Sequence, residues 1–255
     1  MMKLLLLLTV ILISPSLGDE QALWKRPVVI GASLSDGFHV QEMGVPFFSP
    51  ISKSLGLHHH LKSELGVDHG PILNLGSKWT FLAAEVNGRY QVKKAREAKP
   101  TVVFAIDYLF WYLSANPAFR GEGLQGLTRL EFFEKGLAHL ATLKCPVVVG
   151  NLPDTKSSVG RGLSKEQYPG VEIVAKANLR LAEWLKENPQ MILLDLAKFH
   201  RLASSNQEVT VSGQVIPAGK SRKFYLQWDE LHPTPEGAAA IAKEALDALA
   251  QARVD

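Results

Sequence analysis

A serine hydroxyl becomes an effective nucleophile only when a base stands ready to take its proton, and this sequence holds the parts for such an arrangement far apart along the chain. Ser33 lies in Gly31-Ala32-Ser33-Leu34-Ser35-Asp36-Gly37, directly after the apolar run Pro27-Val28-Val29-Ile30. The flanking glycines permit a tight turn that exposes the hydroxyl and orients the Ser33 N–H. Asp229 and His232 lie in Trp228-Asp229-Glu230-Leu231-His232-Pro233-Thr234-Pro235, just ahead of a helical pattern. A spacing of three within one turn lets the carboxylate reach the imidazole and hold its tautomer. The other ring nitrogen is then left to take a serine proton. Taken singly, each segment has a plainer use: serine is common as a helix N-cap, and Asp-x-x-His-Pro also serves to cap a helix.

Groups so distant must be brought together by a framework. Four continuous apolar runs are present: Pro27 to Ile30, Thr101 to Ile106 after Pro100, Pro146 to Val149 closed by Gly150, and Met191 to Leu194 ending in Asp195. Unbroken apolarity, without polar alternation, points to strands covered on both faces, as in a parallel sheet. Between them lie helical patterns. Ile173, Ala177, Leu181 and Leu185 recur every four residues, with Lys176, Arg180 and Glu183 off that stripe. Thr234 can cap a last helix with Pro235 at its first position and Glu236 at its positive end. Ile241, Ala245 and Leu249 supply its buried stripe. Glu208 to Val211, Ser212-Gly213 and Gln214 to Ile216 read as a small hairpin. The alternation predicts an α/β fold, a three-layer α/β/α sandwich with a mainly parallel sheet, in one domain spanning residues 25–252. Ligands of open α/β sheets bind beyond the carboxyl ends of the strands. Ser33 falls there.

Together these pieces resemble the SGNH, or GDSL, hydrolase family, in its short motifs and their order over most of the chain. That family carries its nucleophile in a Gly-Asp-Ser-Leu block after the first strand, here Gly31-Ala32-Ser33-Leu34, and its Asp and His in an Asp-x-x-His block before the last helix, here Asp229 to His232. The resemblance implies a flavodoxin-like SGNH fold and a serine esterase with Ser33 as nucleophile, His232 as base and Asp229 as its orienting partner. Neither metal nor organic cofactor is implied. Asn74-Leu75-Gly76-Ser77 fits the family's second block, which makes the N–H groups of Gly76 and Ser33 the implied oxyanion donors. Two departures stand out. Ala32 replaces the family's Asp in the first block. Asp107-Tyr108-Leu109-Phe110 stands where the family has Gly-x-Asn-Asp, so the Asn donor is missing. An ionised Asp107 aimed at an oxyanion opposes catalysis, whereas a protonated one, its pKa raised by burial, can donate. Asp107, Tyr108 and Trp111 are the substrate-binding candidates, with Tyr108, Trp111 and Asn151 as further possible donors. The substrate implied is a small-molecule, glycan or lipid ester. The rival is a weak or inactive member that keeps the fold as a carbohydrate- or lipid-binding module.

Other features weigh less. His58-His59-His60 invites a metal reading, but flanking Leu57 and Leu61 favour a solvated helix face, because adjacent residues do not share one face of a helix. The basic stretch from Arg89 to Lys99 reads as the exposed side of a helix. Phe110, Trp111 and Tyr112 suit either a substrate pocket or the core. Lys220, Arg222 and Lys223 suit a solvated hairpin end, or an anion-attracting patch. The 255 residues are 46% hydrophobic and 21% charged, which excludes disorder as the main state. Twenty-eight Lys and Arg against 25 Asp and Glu leave +3, with no long basic block, so a nucleic acid is not the expected partner. Cys145 is the only cysteine, so no internal disulfide is available. Met1-Met2-Lys3, the apolar run Leu4 to Ile13 broken only by Thr9, and the small residues around Ser16 and Gly18 read as a signal peptide over residues 1–18. That run is shorter than the roughly 20 residues needed to span a bilayer. The expectation is a secreted or periplasmic protein, not inserted in the membrane once the signal is cleaved.

Overall fold

All four apolar runs form strands of a five-stranded sheet. The computed structural model describes residues 21–38 and 56–253; the signal-peptide reading of residues 1–18 lies outside them. In chain order the elements are β1 (Pro27–Val29), α1 (Ser33–Asp36), α2 (Leu57–Glu64), β2 (Leu73–Asn74), α3 (Ala84–Glu97), β3 (Val102–Ala105) and α4 (Phe110–Ser114). Then come α5 (Arg129–Leu140), β4 (Val147–Gly150), α6 (Val171–Glu187), β5 (Met191–Leu194) and α7 (Leu196–Ala203). The hairpin β6 (Val209–Val211) and β7 (Gln214–Ile216), then α8 (Ser221–Tyr225) and α9 (Pro235–Gln251), complete the described chain.

The strand order is β2-β1-β3-β4-β5, and every neighbouring pair is parallel. This is the flavodoxin-like order, in which the chain reverses direction of travel across the sheet between β1 and β3. Side chains alternate between two apolar layers, as the pleat requires. Val28, Val103, Ala105, Val147 and Val149 face one layer with α3, α5 and α6 residues such as Val92, Phe132 and Leu181. Val29, Val102, Phe104 and Val148 face the other with Leu57 and Leu61 of α2, Phe199 of α7 and Ile241, Ala245 and Leu249 of α9. The result is the three-layer α/β/α sandwich that the apolar runs predict.

Local chemistry explains the helix ends. Thr234 accepts the Gly237 N–H at 3.1 Å and Pro235 begins α9, so the last helix starts where its cap residues place it. The β6–β7 hairpin turns at Ser212 and Gly213, both at positive φ, as a tight hairpin demands. It docks on α9 through Ser212 and Glu244, and its residues do not line the cavity at Ser33. Among the described residues, only β2 is a strand the apolar pattern does not announce. It is two residues long, at the sheet edge, and Leu73 is exposed. No helix among the described residues is long and apolar enough to cross a membrane.

Candidate active site

Ser33 is the first residue of α1, at the carboxyl end of β1 and therefore at the point where strand order reverses. Asp107, just past β3, lies across from it. One Asp107 oxygen accepts the Ala32 N–H at 3.0 Å and the Ser35 hydroxyl at 2.6 Å. The other accepts the Leu34 N–H at 2.9 Å and, more loosely, the Ser35 N–H at 3.4 Å. The Ser33 N–H is the amide of this run that Asp107 leaves untouched. Burial pushes the Asp107 carboxyl upward in pKa, and the Ser35 hydroxyl and the backbone N–H groups work against that rise. Because backbone N–H groups only donate, both oxygens are held as acceptors. The geometry is allowed by Gly31, at φ +148°: a Cβ there would stand 2.1 Å from an Asp107 oxygen and 2.4 Å from the Ser35 hydroxyl.

The opposite wall is the 226–233 loop ahead of α9. It is closed by a Leu226–Pro233 antiparallel bridge and a Gln227 N–H bond to the His232 carbonyl at 2.8 Å. Within it, Asp229 Oδ1 accepts the N–H groups of Leu231 and His232, each at 3.1 Å, and Oδ2 lies 2.6 Å from His232 Nδ1. Burial alone would raise the Asp229 carboxyl. The His232 imidazole and the two N–H donors outweigh it and hold the group below its usual value, hence ionised. An ionised carboxylate accepts only, so the proton of that bond sits on Nδ1; in the neutral imidazole Nε2 is then the acceptor. Nε2 lies 3.0 Å from Ser33 Oγ. The structure thus brings together Ser33, His232 and Asp229, which are 199 and 3 residues apart in the chain. The Phe38 ring stands over His232 with centroids 4.7 Å apart.

Beside Ser33 and His232 is an apolar cavity of about 60 Å³, lined by Phe110, Trp111, Leu196, Phe199, Leu226 and Ile241 among others. Trp111, one of the substrate-binding candidates, lines this cavity. Tyr108 does not, which corrects that reading: it is buried in the core, its hydroxyl 3.3 Å from that of Tyr112 and both hydroxyls pushed far up in pKa by burial. Asp107 borders the cavity, and both of its oxygens are engaged by the α1 turn. Gly76 departs from its implied role too. Its N–H donates to Asn74 Oδ1 at 2.9 Å, and a Cβ there would meet Ser35 at 2.7 Å, so the glycine serves close packing against α1. Asn151 bonds Asp195 and the Ala197 N–H, tying β4 to the start of α7.

Residue types alone did not single out Glu230. It adopts φ +56°, a left-handed conformation unusual for a side-chain-bearing residue. Its carboxylate is 6% exposed and is gripped by Arg161 and, at 3.2 Å, by Arg222. Its carbonyl accepts the Ser158 hydroxyl at 2.8 Å and His200 Nε2–H at 3.1 Å, and burial depresses the His200 pKa. Arg222, read from sequence as a solvated or anion-attracting residue, is committed to this pair. The only signal for Glu230 was its place inside the Asp-x-x-His segment. His58 of the histidine run lies 3.0 Å from the Asn74 amide, and among the described residues no three His, Cys, Asp or Glu side chains are grouped to hold a metal ion.

No protein-family model matches the chain, and no curated protein matches it in sequence. Solved structures do match in fold. An alpha/beta hydrolase enzyme from the metagenome of Lake Arreo, Spain, aligns over 89% of this chain and 95% of its own at 14% identity, with a TM-score of 0.53. A gut microbial diltiazem-metabolizing enzyme aligns over 89% of this chain at 12% identity, with a TM-score of 0.53; the chain spans about half of it, 47%. A protein described as a "putative GDSL-like lipase" from Parabacteroides merdae aligns over 89% of this chain and 96% of its own at 12% identity, with a lower TM-score of 0.48. The strand order and the first of these likenesses show a flavodoxin-like three-layer α/β/α fold, shared with an alpha/beta hydrolase enzyme.

Proposed function

We propose that this chain is a serine esterase that hydrolyses carboxylic esters. The observation that carries the reading is the continuous hydrogen-bond line Ser33 Oγ, His232 Nε2, His232 Nδ1, Asp229 Oδ2, with steps of 3.0 and 2.6 Å, at the edge of an apolar cavity. In the proposed reaction Ser33 Oγ attacks the ester carbonyl as its proton passes to Nε2. Asp229 stabilises the imidazolium without taking its proton. The Ser33 N–H, left free by Asp107, donates to the oxyanion, and Gly76 N–H can join it only on releasing Asn74. Collapse expels the alcohol, which takes the proton from Nε2. Water then gives a proton to Nε2, attacks the acyl-enzyme, and the acid departs as Ser33 recovers its proton. The apolar cavity suits the acyl group. We propose further that residues 1–18 direct export, so that the ester is met outside the cytoplasm.

A second reading, as a glycan- or lipid-binding module with weak or no turnover, draws on two observations: the Gly76 N–H is already engaged, and the family's Asn is absent. Losing one oxyanion donor typically costs about 10²–10³ in turnover. Turnover of p-nitrophenyl esters of increasing acyl length, with Ser33→Ala as control, tests the first reading. Hydrolysis that vanishes in the variant supports the esterase. Folded protein without turnover, and without labelling by a serine-directed phosphonate, supports the binder.

A further inference from the structure

We infer that Glu230 is a positioning residue that sets the Asp229–His232 pair by an ionic clamp, an inference that rests on the serine esterase reading. The backbone makes the first part of the case. Leu231 and His232 can both turn their N–H groups onto Asp229 Oδ1, at 3.1 Å each, because the residue between them and Asp229 is in the left-handed region at φ +56°. Glycine is the residue that adopts this conformation freely, yet a glutamate occupies the position. The side chain offsets the strain. Its carboxylate is almost wholly buried and receives Arg161 from the loop after β4 and Arg222 from α8, each arginine about half exposed. Two cations compensate the one buried anion, and the excess positive charge lies on arginines that reach water. The same residue's carbonyl is fixed from a third direction by Ser158 and from a fourth by His200, while its N–H donates to the Gln227 carbonyl at 3.0 Å.

Glu230 touches neither Ser33 nor the cavity, so its contribution acts through His232. The loop after β4 also passes close behind Asp229: a Cβ on Gly162 would stand 2.8 Å from Asp229 Oδ2. The Arg161–Glu230 pair therefore seals this loop against the Asp229 carboxylate. It keeps water from the oxygen that holds the imidazole, and it fixes the direction of Nε2 toward Ser33.

The decisive variant is Glu230→Gly, which keeps the left-handed backbone free of strain and deletes only the clamp. The expected result is a kcat for p-nitrophenyl esters lowered by about 10²-fold, as for a displacement of roughly 1 Å in a reacting group, with KM within about twofold. Glu230→Gln retains an acceptor for the arginines and should recover most of that loss. Arg161→Met and Arg222→Met should each give part of it, and together no more than Glu230→Gly, since all three break one unit. A second readout needs no substrate: the Nδ1 proton of His232 in its 2.6 Å bond to Asp229 should give a slowly exchanging downfield NMR signal in the wild type, broadened or lost in Glu230→Gly. Wild-type kcat and an unchanged signal in Glu230→Gly overturn the proposal. If the wild type hydrolyses no ester and takes no phosphonate, the esterase reading fails instead, and the NMR comparison still decides the clamp.

Discussion

The Ser35 hydroxyl and the Asp107 carboxylate meet at 2.6 Å directly beneath the turn that carries Ser33. Residues from the ends of β1 and β3 are thereby joined at the point where the sheet reverses its strand order. With the Ala32 and Leu34 N–H groups on the same carboxylate, Asp107 holds three of the residues around Ser33 and leaves the Ser33 amide unclaimed. Asp107 is therefore part of the scaffold of the turn that carries Ser33.

Asp107→Asn tests that role. An amide offers one acceptor oxygen and places an NH₂ against a backbone N–H, leaving a buried donor unsatisfied. The expected cost is about 1–3 kcal/mol of stability by urea unfolding, with reduced ester turnover. Gained activity would mean that Asp107 had been obstructing an oxyanion donor.

Gly31→Ala should be more damaging, because its Cβ would overlap both partners of that bond and the residue would sit at φ +148°. We expect a loss of about 3 kcal/mol or more, read as a lowered urea midpoint at unchanged m-value.

Ser33→Ala should leave folding intact and remove ester hydrolysis by about 10⁴-fold or more. Asp229→Asn should cost about 10⁴-fold through the wrong imidazole tautomer. Single-turnover release of p-nitrophenol measures both.

The depressed Asp229 carboxyl also sets a pH dependence. Its folded pKa lies below the unfolded one, so its contribution to stability is complete above the unfolded value of about 3.9 and is lost as pH falls through the folded value. The part of the stability difference between wild type and Asp229→Asn that comes from this carboxyl should shrink as pH falls below about 3.9 through the folded value. Urea unfolding at a series of pH values checks this. A difference that grows in acid would show the sign to be reversed.

Phe110→Ala enlarges the cavity beside Ser33. The acyl length preferred by kcat/KM should move upward, by about tenfold per added methylene at the new optimum. An unchanged profile would place the acyl group elsewhere.

Much of this arrangement was legible in residue order. The strands that carry the site are buried on both faces, and burial on both faces is what makes a run such as Val147-Val148-Val149 unbroken. The Thr234-Pro235 start of α9 was written in cap chemistry. Edge strand β2 was silent because two residues carry no period. Tyr108 and Trp111 follow the same strand, and which of them reaches the cavity depends on the turn after β3, which neither residue type encodes. The fate of the Gly76 N–H turns on the side-chain rotamer of Asn74. Glu230 was hidden because its partners, Arg161 and Arg222, come from separate elements and look like ordinary surface cations.

The 199-residue separation of Ser33 from His232 has a consequence for biogenesis. A chain emerging from the ribosome exposes Ser33 long before its imidazole exists. On the serine esterase reading, that serine would lack its base throughout synthesis and become a nucleophile only once the 226–233 loop docks. Reactivity at Ser33 would then gauge completed folding, and a protease nick or truncation that frees this loop would silence it while leaving the sheet in place.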